Sequence, residues 1–367
     1  MSETSTTDLI KNPFEELDPD YSSYADDTKK LKEKISSKGY LFFRDLLNKN
    51  KVEKVRTDIT NILKMYNYVT NDSPDTEAKW TGKDYDGAEL EPVPTATSSK
   101  IGGAIAKLDS VKELNRSDEL FGVLSRLLDG EVYSWVDNDE RLRVYLPGKG
   151  PIIIAGGSGP RFTPPHQDRV FFRKGSMSNE EEYQFYTVWM PIVDMDQSVG
   201  GLTIMKGAHK RGLFKHFYGP GTDLRLIPFT KKQLKGWMEE GAIAPAGETE
   251  IEENETWLRT DFKVGDVLIF DPLMAHAGLT NVSKNLRISG DFRYSRKGGE
   301  TTWQNNNTLG VTHGYMAVLK KELENMKLEG SLPAQIYYQL ANLEGPTGNE
   351  ENDLRGRIQN CIQKFKK

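Results

Sequence analysis

The stretch "GDVLIFDPLMAHAGLTNVSKNLRISGDFRYS", residues 265–295, holds two runs of β-prone residues separated by proline- and asparagine-containing turn segments. Further short runs of the same kind begin at about Arg141: "LRVYL", "PIII", "FYTVWMPIV" and "GLTIM". Only residues 222–242, with "KKQLKGWMEEG", interrupt them with a possible helix. Many short strands without alternating crossover helices predict an antiparallel sandwich or barrel rather than a doubly wound sheet.

Helical patterns flank this strand-rich region. Leu31 and Ile35 are four residues apart and Gly39 follows them, which predicts a short helix that ends before a buried strand, "YLFF". Apolar residues between positions 52 and 63 recur at helical spacing and predict a second helix. The predicted divisions are a loosely ordered lead-in over residues 1–28, one main domain with a helical N-terminal part over residues 29–300, and a helical extension over residues 301–367 that packs on the same domain.

Two polar segments interrupt the main domain. Residues 67–99 form a long polar stretch that includes Trp80 and Tyr85, and a loop of this length is typically a lid, a binding loop or a disordered segment. Residues 173–184, "RKGSMSNEEEYQ", could cover a substrate or form a solvated hairpin. Both segments are candidates for elements that close over a site.

The composition narrows the class of protein. The 367 residues carry 54 acidic and 49 basic side chains, for a formal net charge of −5, so a basic nucleic-acid-binding surface is not expected. The apolar runs are too short to span a bilayer, and the polar start "MSETSTTDLIKNPFEELDPD" does not resemble a signal peptide. Cys361 is the single cysteine, which excludes an internal disulfide. We therefore expect a cytoplasmic protein without nucleic-acid or membrane partners.

Three residues form a candidate metal site. In "TPPHQDRVFF", residues 163–172, His166 and Asp168 are two apart, so on a strand both side chains would point to one face and could bind one ion. His276 follows an apolar strand and could supply a third ligand. Two histidines and a carboxylate that leave positions open are typical of non-haem Fe(II) oxygenases. Taken singly, each of these residues could equally be a solvent-facing polar residue, and the same ligands could bind zinc in a hydrolase.

A row of polar residues follows on the last predicted strand. Strand alternation places Arg287, Ser289, Asp291 and Arg293 on one face, which looks either at water or into a polar barrel lumen. In a lumen, the Arg287 guanidinium could bind a carboxylate through two parallel hydrogen bonds. Arg293 is a candidate contact for a substrate carboxylate, although a structural partner such as Asp291 or Glu300 would explain it equally well.

The order of these motifs resembles the phytanoyl-CoA dioxygenase family of Fe(II)/2-oxoglutarate-dependent oxygenases. The likeness spans about residues 30–297 and runs through "SKGYLFFRDLL", "PPHQD", "TVWMPIVDMDQSVGGLTIMKGAHKRG" and the stretch quoted first. Two departures stand out: "KGA" precedes His209 where the family usually has Pro-Gly-Ser, and Gly278 replaces a serine that many relatives place near the cosubstrate. His209 is expected to be structural rather than a fourth ligand.

The resemblance implies a fold and a set of site residues. The expected fold is mainly β with flanking helices, a double-stranded β-helix of the jelly-roll or cupin-like type. His166, Asp168 and His276 match the family's iron ligands, and Arg287 matches its 2-oxoglutarate-anchoring arginine. Trp189 matches a tryptophan of the cosubstrate pocket, although an ordinary core aromatic would look the same.

The resemblance also implies an activity. With Fe(II), 2-oxoglutarate and O₂, such an enzyme would oxidise an unactivated C–H bond of a small molecule and produce succinate and CO₂. Hydroxylation is the default outcome, and desaturation or oxidative cyclisation would begin in the same way. Asp168 argues against halogenation, because related halogenases have Gly or Ala at the carboxylate position. The alternative is a non-catalytic or non-oxygenase metal-binding jelly-roll module.

Overall fold

The computed structural model describes most of the chain between residues 14 and 297, in several stretches. These are residues 14–20, 25–74, 76–84, 101, 104–105, 107–134, 142–148, 165–170, 184–214, 216–218, 224–226, 255–279 and 281–297, followed by 359 and 362–363. Within this part of the chain, no helix is long and apolar enough to cross a membrane.

The described residues include four complete α-helices and thirteen strands. The helices are α1 (Thr28–Lys38), α2 (Lys49–Met65), α3 (Asp109–Asn115) and α4 (Asp118–Leu128). The strands are β1 (Phe14–Glu16), β2 (Tyr40–Phe43), β3 (Val132–Ser134), β4 (Leu142–Tyr145), β5 (His166–Gln167), β6 (Phe185–Pro191), β7 (Leu202–Met205), β8 (His216–Tyr218), β9 (Leu224–Leu226), β10 (Trp257–Arg259), β11 (Val267–Phe270), β12 (Ala275–Gly278) and β13 (Arg287–Arg296). Short 3₁₀ turns lie at Asp168–Val170 and Ala208–Arg211.

The strands form two main sheets. The five-stranded sheet has the order β1-β10-β7-β12-β5, and the six-stranded sheet has the order β2-β11-β6-β13-β3, with β4 also paired to β13. A separate pair is formed by β8 and β9. All pairs are antiparallel except β1 with β10. This is the double-stranded β-helix that the sequence predicts, since non-consecutive strands alternate between two sheets.

The six-stranded sheet is built around β6 and β13. All seven residues of β6 are buried, and this strand lies between β11 and β13. On the outer side of β13, the Tyr294 hydroxyl donates to the carbonyl of Asn115 at 2.7 Å, and the Tyr294 ring packs edge-on against Phe121 of α4. Helices α3 and α4 therefore cover this side of the sheet, and the polar residues of β13 point the other way.

The first helix and strand follow the prediction closely. Leu31 and Ile35 are the buried residues of α1, and Gly39 ends it in the left-handed conformation with φ 81°. Strand β2, with all four residues buried, follows at once and pairs with β11. The Asp27 side chain accepts from the backbone N–H of Lys30 and caps the start of the helix.

The N-terminal lead-in expected over residues 1–28 contains structure that the sequence pattern did not predict. Strand β1 pairs in parallel with β10, and Leu17 is buried. The reason is tertiary: β10 offers an unpaired edge to which three residues can add without an apolar pattern of their own.

Other predicted segments fall partly or wholly outside the described residues. In the 67–99 segment, residues 67–74 and 76–84 are described, and Val69 and Trp80 form an antiparallel bridge there. Residues 173–183 and most of the 222–242 and 301–367 segments lie outside, although residues 224–226 form strand β9 rather than part of a helix. Gln359, Ile362 and Gln363 are helical, and the helical extension predicted over residues 301–367 stays a prediction.

Candidate active site

The two histidines of the candidate metal site face each other across a strand pair. His166 of β5 lies directly opposite His276 of β12 in the five-stranded sheet, and their ring centroids are 4.2 Å apart. Residues that are 110 positions apart in the chain are thus brought together by antiparallel pairing. The imidazoles belong to one face of the sheet because directly opposed residues share a face.

Asp168 reaches the same place by a different route from the one predicted. Strand β5 has only two residues, and Asp168 begins a 3₁₀ turn instead of continuing the strand. The turn is held by the backbone N–H of Arg169, which donates to the Pro272 carbonyl at 2.9 Å. Gln167, between the two ligand candidates, points away, and its side chain binds backbone groups of Gly212, Phe214 and Leu273.

The ligand atoms of His166, Asp168 and His276 all lie within 4.8 Å of one another. Asp168 Oδ1 is 3.6 Å from His166 Nε2 and 3.8 Å from His276 Nε2. Among the described residues this oxygen is buried without a hydrogen-bond partner. A buried carboxylate oxygen without a partner is unfavourable unless a cation satisfies it. The donor set therefore fits a divalent metal such as iron.

The tautomer and the charge of His276 both suit metal binding. Its Nδ1 lies 3.0 Å from the Met274 carbonyl, which can only accept, so Nδ1 carries the proton and Nε2 has its lone pair directed at the site. Burial, reinforced by the neighbouring His166, lowers the pKa of His276 to about 4. At neutral pH the ring is therefore an uncharged imidazole that can bind a metal without first losing a proton.

The other oxygen of Asp168 is fully occupied. Oδ2 accepts from the Thr187 hydroxyl at 2.5 Å and from Arg293 Nη2 at 2.7 Å and Nε at 3.2 Å. Burial acts to raise the pKa of Asp168, but the charge of Arg293 opposes it, and the pKa lies well below its usual value. Asp168 is therefore a carboxylate at neutral pH, with one oxygen held by the protein and one left for a metal.

Arg287 lies on the facing six-stranded sheet, at the start of β13. Its Nη1 donates to the Leu279 carbonyl at 2.5 Å, and its guanidinium carbon is 3.7 Å from the centre of the Tyr145 ring. Burial lowers the pKa of Arg287. Within the described structure, its Nε is buried without a hydrogen-bond partner. A fixed, desolvated guanidinium of this kind is suited to bind a carboxylate.

One pocket joins these groups and lies between the two sheets. The pocket is bounded by His166 and His276 on one side and by Trp189 and Arg287 on the other. The remaining lining residues are Arg143, Tyr145, Leu202, Phe270, Gly278, Ser289 and Asp291. The polar face of β13 therefore faces the barrel lumen rather than solvent, which is one of the two orientations that the sequence leaves open. Gly278 also lines the pocket, at the position where many relatives have serine.

Arg293 lies behind Asp168 rather than among the described lining residues. Besides its bonds to Asp168, its Nη1 lies 2.8 Å from Asp291 Oδ1 and donates to the Asp291 carbonyl at 3.1 Å. The contact with Asp291 matches the structural alternative from the sequence. Whether Arg293 also contacts a substrate carboxylate stays a prediction.

Several site residues were missed by sequence reasoning. Thr187 binds the metal-ligand candidate Asp168, and Arg143 and Tyr145 line the pocket. A signal was available in the strand period: Thr187 and Trp189 are two apart on β6, and Arg143 and Tyr145 are two apart on β4. A threonine within an otherwise apolar strand is the kind of residue that needs a buried partner.

His209 is placed away from the site, as expected. Its Nε2 lies 3.0 Å from the Ser36 carbonyl at the end of α1, and its ring lies against Gly39. It therefore joins the first helix to the Ala208–Arg211 turn and is a structural residue. His216 begins β8, and His313 lies outside the described residues.

Comparisons with known proteins place the chain in a family. The model of the family described as phytanoyl-CoA dioxygenase matches residues 35–289. A 1-deoxypentalenic acid 11-beta-hydroxylase of Streptomyces exfoliatus is 29% identical over 143 residues, 38% of this chain and 43% of that protein. A protein of the same description from Streptomyces arenae is 29% identical over 134 residues, 36% and 40% of the two chains. Each match thus spans less than half of the hydroxylase.

The chain is also similar to solved structures of two proteins that are described with 2-oxoglutarate, which is also called alpha ketoglutarate. The non-heme alpha ketoglutarate dependent epimerase SnoN from nogalamycin biosynthesis has a TM-score of 0.42 at 14% identity, covering 73% of this chain and 83% of its own. EctD from S. alaskensis, with 2-oxoglutarate and 5-hydroxyectoine, has a TM-score of 0.45 at 16% identity, covering 78% and 83%. The family model covers more than half of the chain, and the chain therefore belongs to the phytanoyl-CoA dioxygenase family, with a His-Asp-His cluster that could hold a metal ion.

Proposed function

We propose that this chain is an Fe(II)- and 2-oxoglutarate-dependent oxygenase that oxidises an unactivated C–H bond of a small molecule, with hydroxylation as the default outcome and succinate and CO₂ as coproducts. The observation that carries the proposal is the orientation of Asp168 Oδ1. This buried oxygen faces two imidazole nitrogens, and the two histidines that carry them line the pocket that also contains Arg287.

His166, Asp168 and His276 would hold the iron. Ligand atoms bound about 2.1 Å from a metal at right angles lie about 3 Å apart. The distances of 3.6 and 3.8 Å from Asp168 Oδ1 to the two imidazoles therefore need only a small contraction when the ion binds. Three protein ligands leave the remaining coordination positions for cosubstrate and oxygen.

Arg287 would bind a carboxylate of 2-oxoglutarate. It lines the same pocket as the two histidines, and its guanidinium is held in place by Leu279 and Tyr145 rather than by a carboxylate. Because no acidic partner is recorded for it in the described structure, its charge remains to be balanced by a bound anion. Trp189, packed edge-on against Phe262, would form an apolar wall beside the cosubstrate.

When bound, iron and 2-oxoglutarate supply the activation of O₂ and the oxidising power needed to attack a C–H bond. The protein orients these groups and keeps water away from them, since the pocket lies between two packed sheets and Phe270 lies against His276. The carboxylate of Asp168 occupies the position that a halide would need, which favours oxygenation over halogenation.

The substrate is a small molecule in this proposal, in line with the hydroxylases from Streptomyces that match part of the chain. Desaturation and oxidative cyclisation begin with the same attack on a C–H bond and would use the same residues. A metal-binding jelly-roll protein without oxygenase activity is the competing function, and it would leave Arg287 without an anion to bind.

Two measurements test the proposal. The iron-loaded protein with 2-oxoglutarate under anaerobic conditions should show a weak visible charge-transfer band, and in air it should convert 2-oxoglutarate to succinate. Asp168→Ala and Arg287→Ala should lose both signals, whereas Arg259→Met, which removes a buried arginine from β10 outside the pocket, should keep them. If iron binds fully without the band, or if succinate release survives both site variants, the oxygenase function or its site is wrong.

A further inference from the structure

We infer that Arg293, together with Thr187, is a positioning residue that holds Asp168 as a metal ligand through one oxygen only. The inference rests on the metal site of the proposed function and adds to it a specific role for two residues. It concerns how the carboxylate is presented, not the identity of the ligands.

The two oxygens of Asp168 have opposite environments. Oδ2 accepts three hydrogen bonds, from Thr187 Oγ1 at 2.5 Å, Arg293 Nη2 at 2.7 Å and Arg293 Nε at 3.2 Å. Oδ1 accepts none from the described residues and faces the imidazoles. A free carboxylate can bind a cation through both oxygens or rotate between them, and three donors on one oxygen remove that freedom.

The donors are themselves held rigidly. Thr187 and Arg293 are directly opposite each other on β6 and β13, at the centre of the six-stranded sheet. The Arg293 side chain is 1% exposed, and its Nη1 is bound by Asp291 on the side away from Asp168. Asp291 in turn lies 3.3 Å from Arg143 Nε. The chain Arg143–Asp291–Arg293–Asp168 therefore runs from the pocket wall to the metal ligand.

This arrangement has a consequence for coordination. A carboxylate bound through both oxygens would occupy a second coordination position, which 2-oxoglutarate or O₂ needs. Holding Oδ2 in a salt bridge keeps Asp168 to one position and fixes Oδ1 toward the imidazoles. The five-stranded sheet thus provides the ligands, and the six-stranded sheet sets the direction of the carboxylate.

Cobalt(II) binding tests this role without relying on turnover, because the visible bands of Co(II) change in position and intensity with coordination number. Arg293→Met should weaken Co(II) binding by about 10–100-fold, the usual effect of losing a partner of a metal ligand, and should change the Co(II) spectrum. Thr187→Val, which removes one of the three donors at nearly constant volume, should change both measurements less. Arg293→Lys retains a charge and a donor and should lie between Arg293→Met and the wild type.

Arg259→Met is the matched control, since Arg259 is a buried arginine of the other sheet and binds Asp261 rather than a metal-ligand candidate. Circular dichroism and thermal unfolding of each variant establish whether it is folded. If Arg293→Met does not fold, the Co(II) affinity and spectrum of Thr187→Val test the inference instead. The inference is wrong if a folded Arg293→Met, or in its place Thr187→Val, shows wild-type affinity and spectrum, or if Arg259→Met loses as much affinity. Failure of the wild type to bind Co(II) would instead contradict the metal site itself, and this inference with it.

Discussion

Arg287 and Arg293 are six residues apart on the same face of β13, yet their surroundings give them different roles. Arg293 is bound on two sides by the carboxylates of Asp168 and Asp291. Arg287 is bound by backbone carbonyls and by the ring of Tyr145. Of these two arginines, only Arg287 has no acidic partner among the described residues. This difference is the reason that we propose Arg287 to bind the cosubstrate and Arg293 to position the metal ligand.

Replacing Arg287 should weaken 2-oxoglutarate binding rather than metal binding. Arg287→Ala removes a buried charge-assisted contact, which typically costs about 2 kcal/mol or more, so the dissociation constant for 2-oxoglutarate should rise by at least about 30-fold. Arg287→Lys keeps the charge but not the two parallel donors and should lose less. Anaerobic titration of 2-oxoglutarate into the metal-loaded protein measures this, and unchanged affinity in Arg287→Ala would remove Arg287 from the cosubstrate site.

At the scale of elements, the junction between α1 and β2 connects the helical part to the barrel. Gly39 ends α1 with a positive φ, and its backbone carbonyl accepts from the N–H of Asp271 just beyond β11. A Cβ at this position would lie 2.3 Å from His209 Nδ1 and 2.5 Å from Met274 Sδ. The glycine is therefore required both for the backbone conformation and for the close approach of the turn containing His209.

Gly39→Ala should destabilise the protein more than the backbone strain alone explains. A left-handed alanine costs about 1 kcal/mol, and forcing a methyl group into a packed contact adds about 1–3 kcal/mol. Gly207→Ala is the matched control, because Gly207 also has positive φ, 73°, but open space around its Cβ position. Urea unfolding should give the larger loss of unfolding free energy for Gly39→Ala, and equal losses for the two variants would contradict the contact with His209 and Met274.

At the scale of the whole molecule, the two sheets enclose a cluster of ionisable groups that the metal-free protein must keep buried. His276 lies beside His166 and Asp168, and its pKa is about 4 compared with an ordinary value of 6.5. The unfolded chain therefore takes up a proton at this histidine at a higher pH than the folded protein does. The free energy of unfolding must therefore decrease as the pH is lowered through the range in which the unfolded state binds more protons than the folded state.

The stability of the metal-free protein should accordingly decrease as the pH is lowered from about 6.5 toward 4. The contribution of His276 is complete above its unfolded pKa, and about 2 kcal/mol of it should be lost by pH 5, at roughly 1.4 kcal/mol per pKa unit. Urea unfolding with a chelator at pH 7 and pH 5 measures the change. His276→Asn, which keeps a donor for the Met274 carbonyl, should show a smaller loss, and an equal loss would show that other groups cause it.

Much of the fold and the ligand set could be predicted from the sequence because both depend on local patterns. The helix that ends at Gly39, the buried strand that follows it and the alternating faces of β13 reflect backbone preferences and side-chain period, which act over a few residues. The ordered motifs around His166, Asp168 and His276 likewise identify the ligand candidates, since residue type and spacing are visible without a structure.

The roles of the remaining site residues were decided by tertiary structure. From the sequence, the polar face of β13 could equally face solvent or the barrel lumen. The packing of α3 and α4 on the other side of this strand directs Arg287 and Arg293 into the barrel. Thr187 gains its role from Asp168, which lies in the turn that follows β5 of the opposite sheet. Strand pairing between distant segments determines which side chains meet, and no local pattern encodes that pairing. The sequence alone therefore determined most strands of the barrel and the metal-ligand candidates, and the packing of the two sheets decided which oxygen of Asp168 is free for the metal.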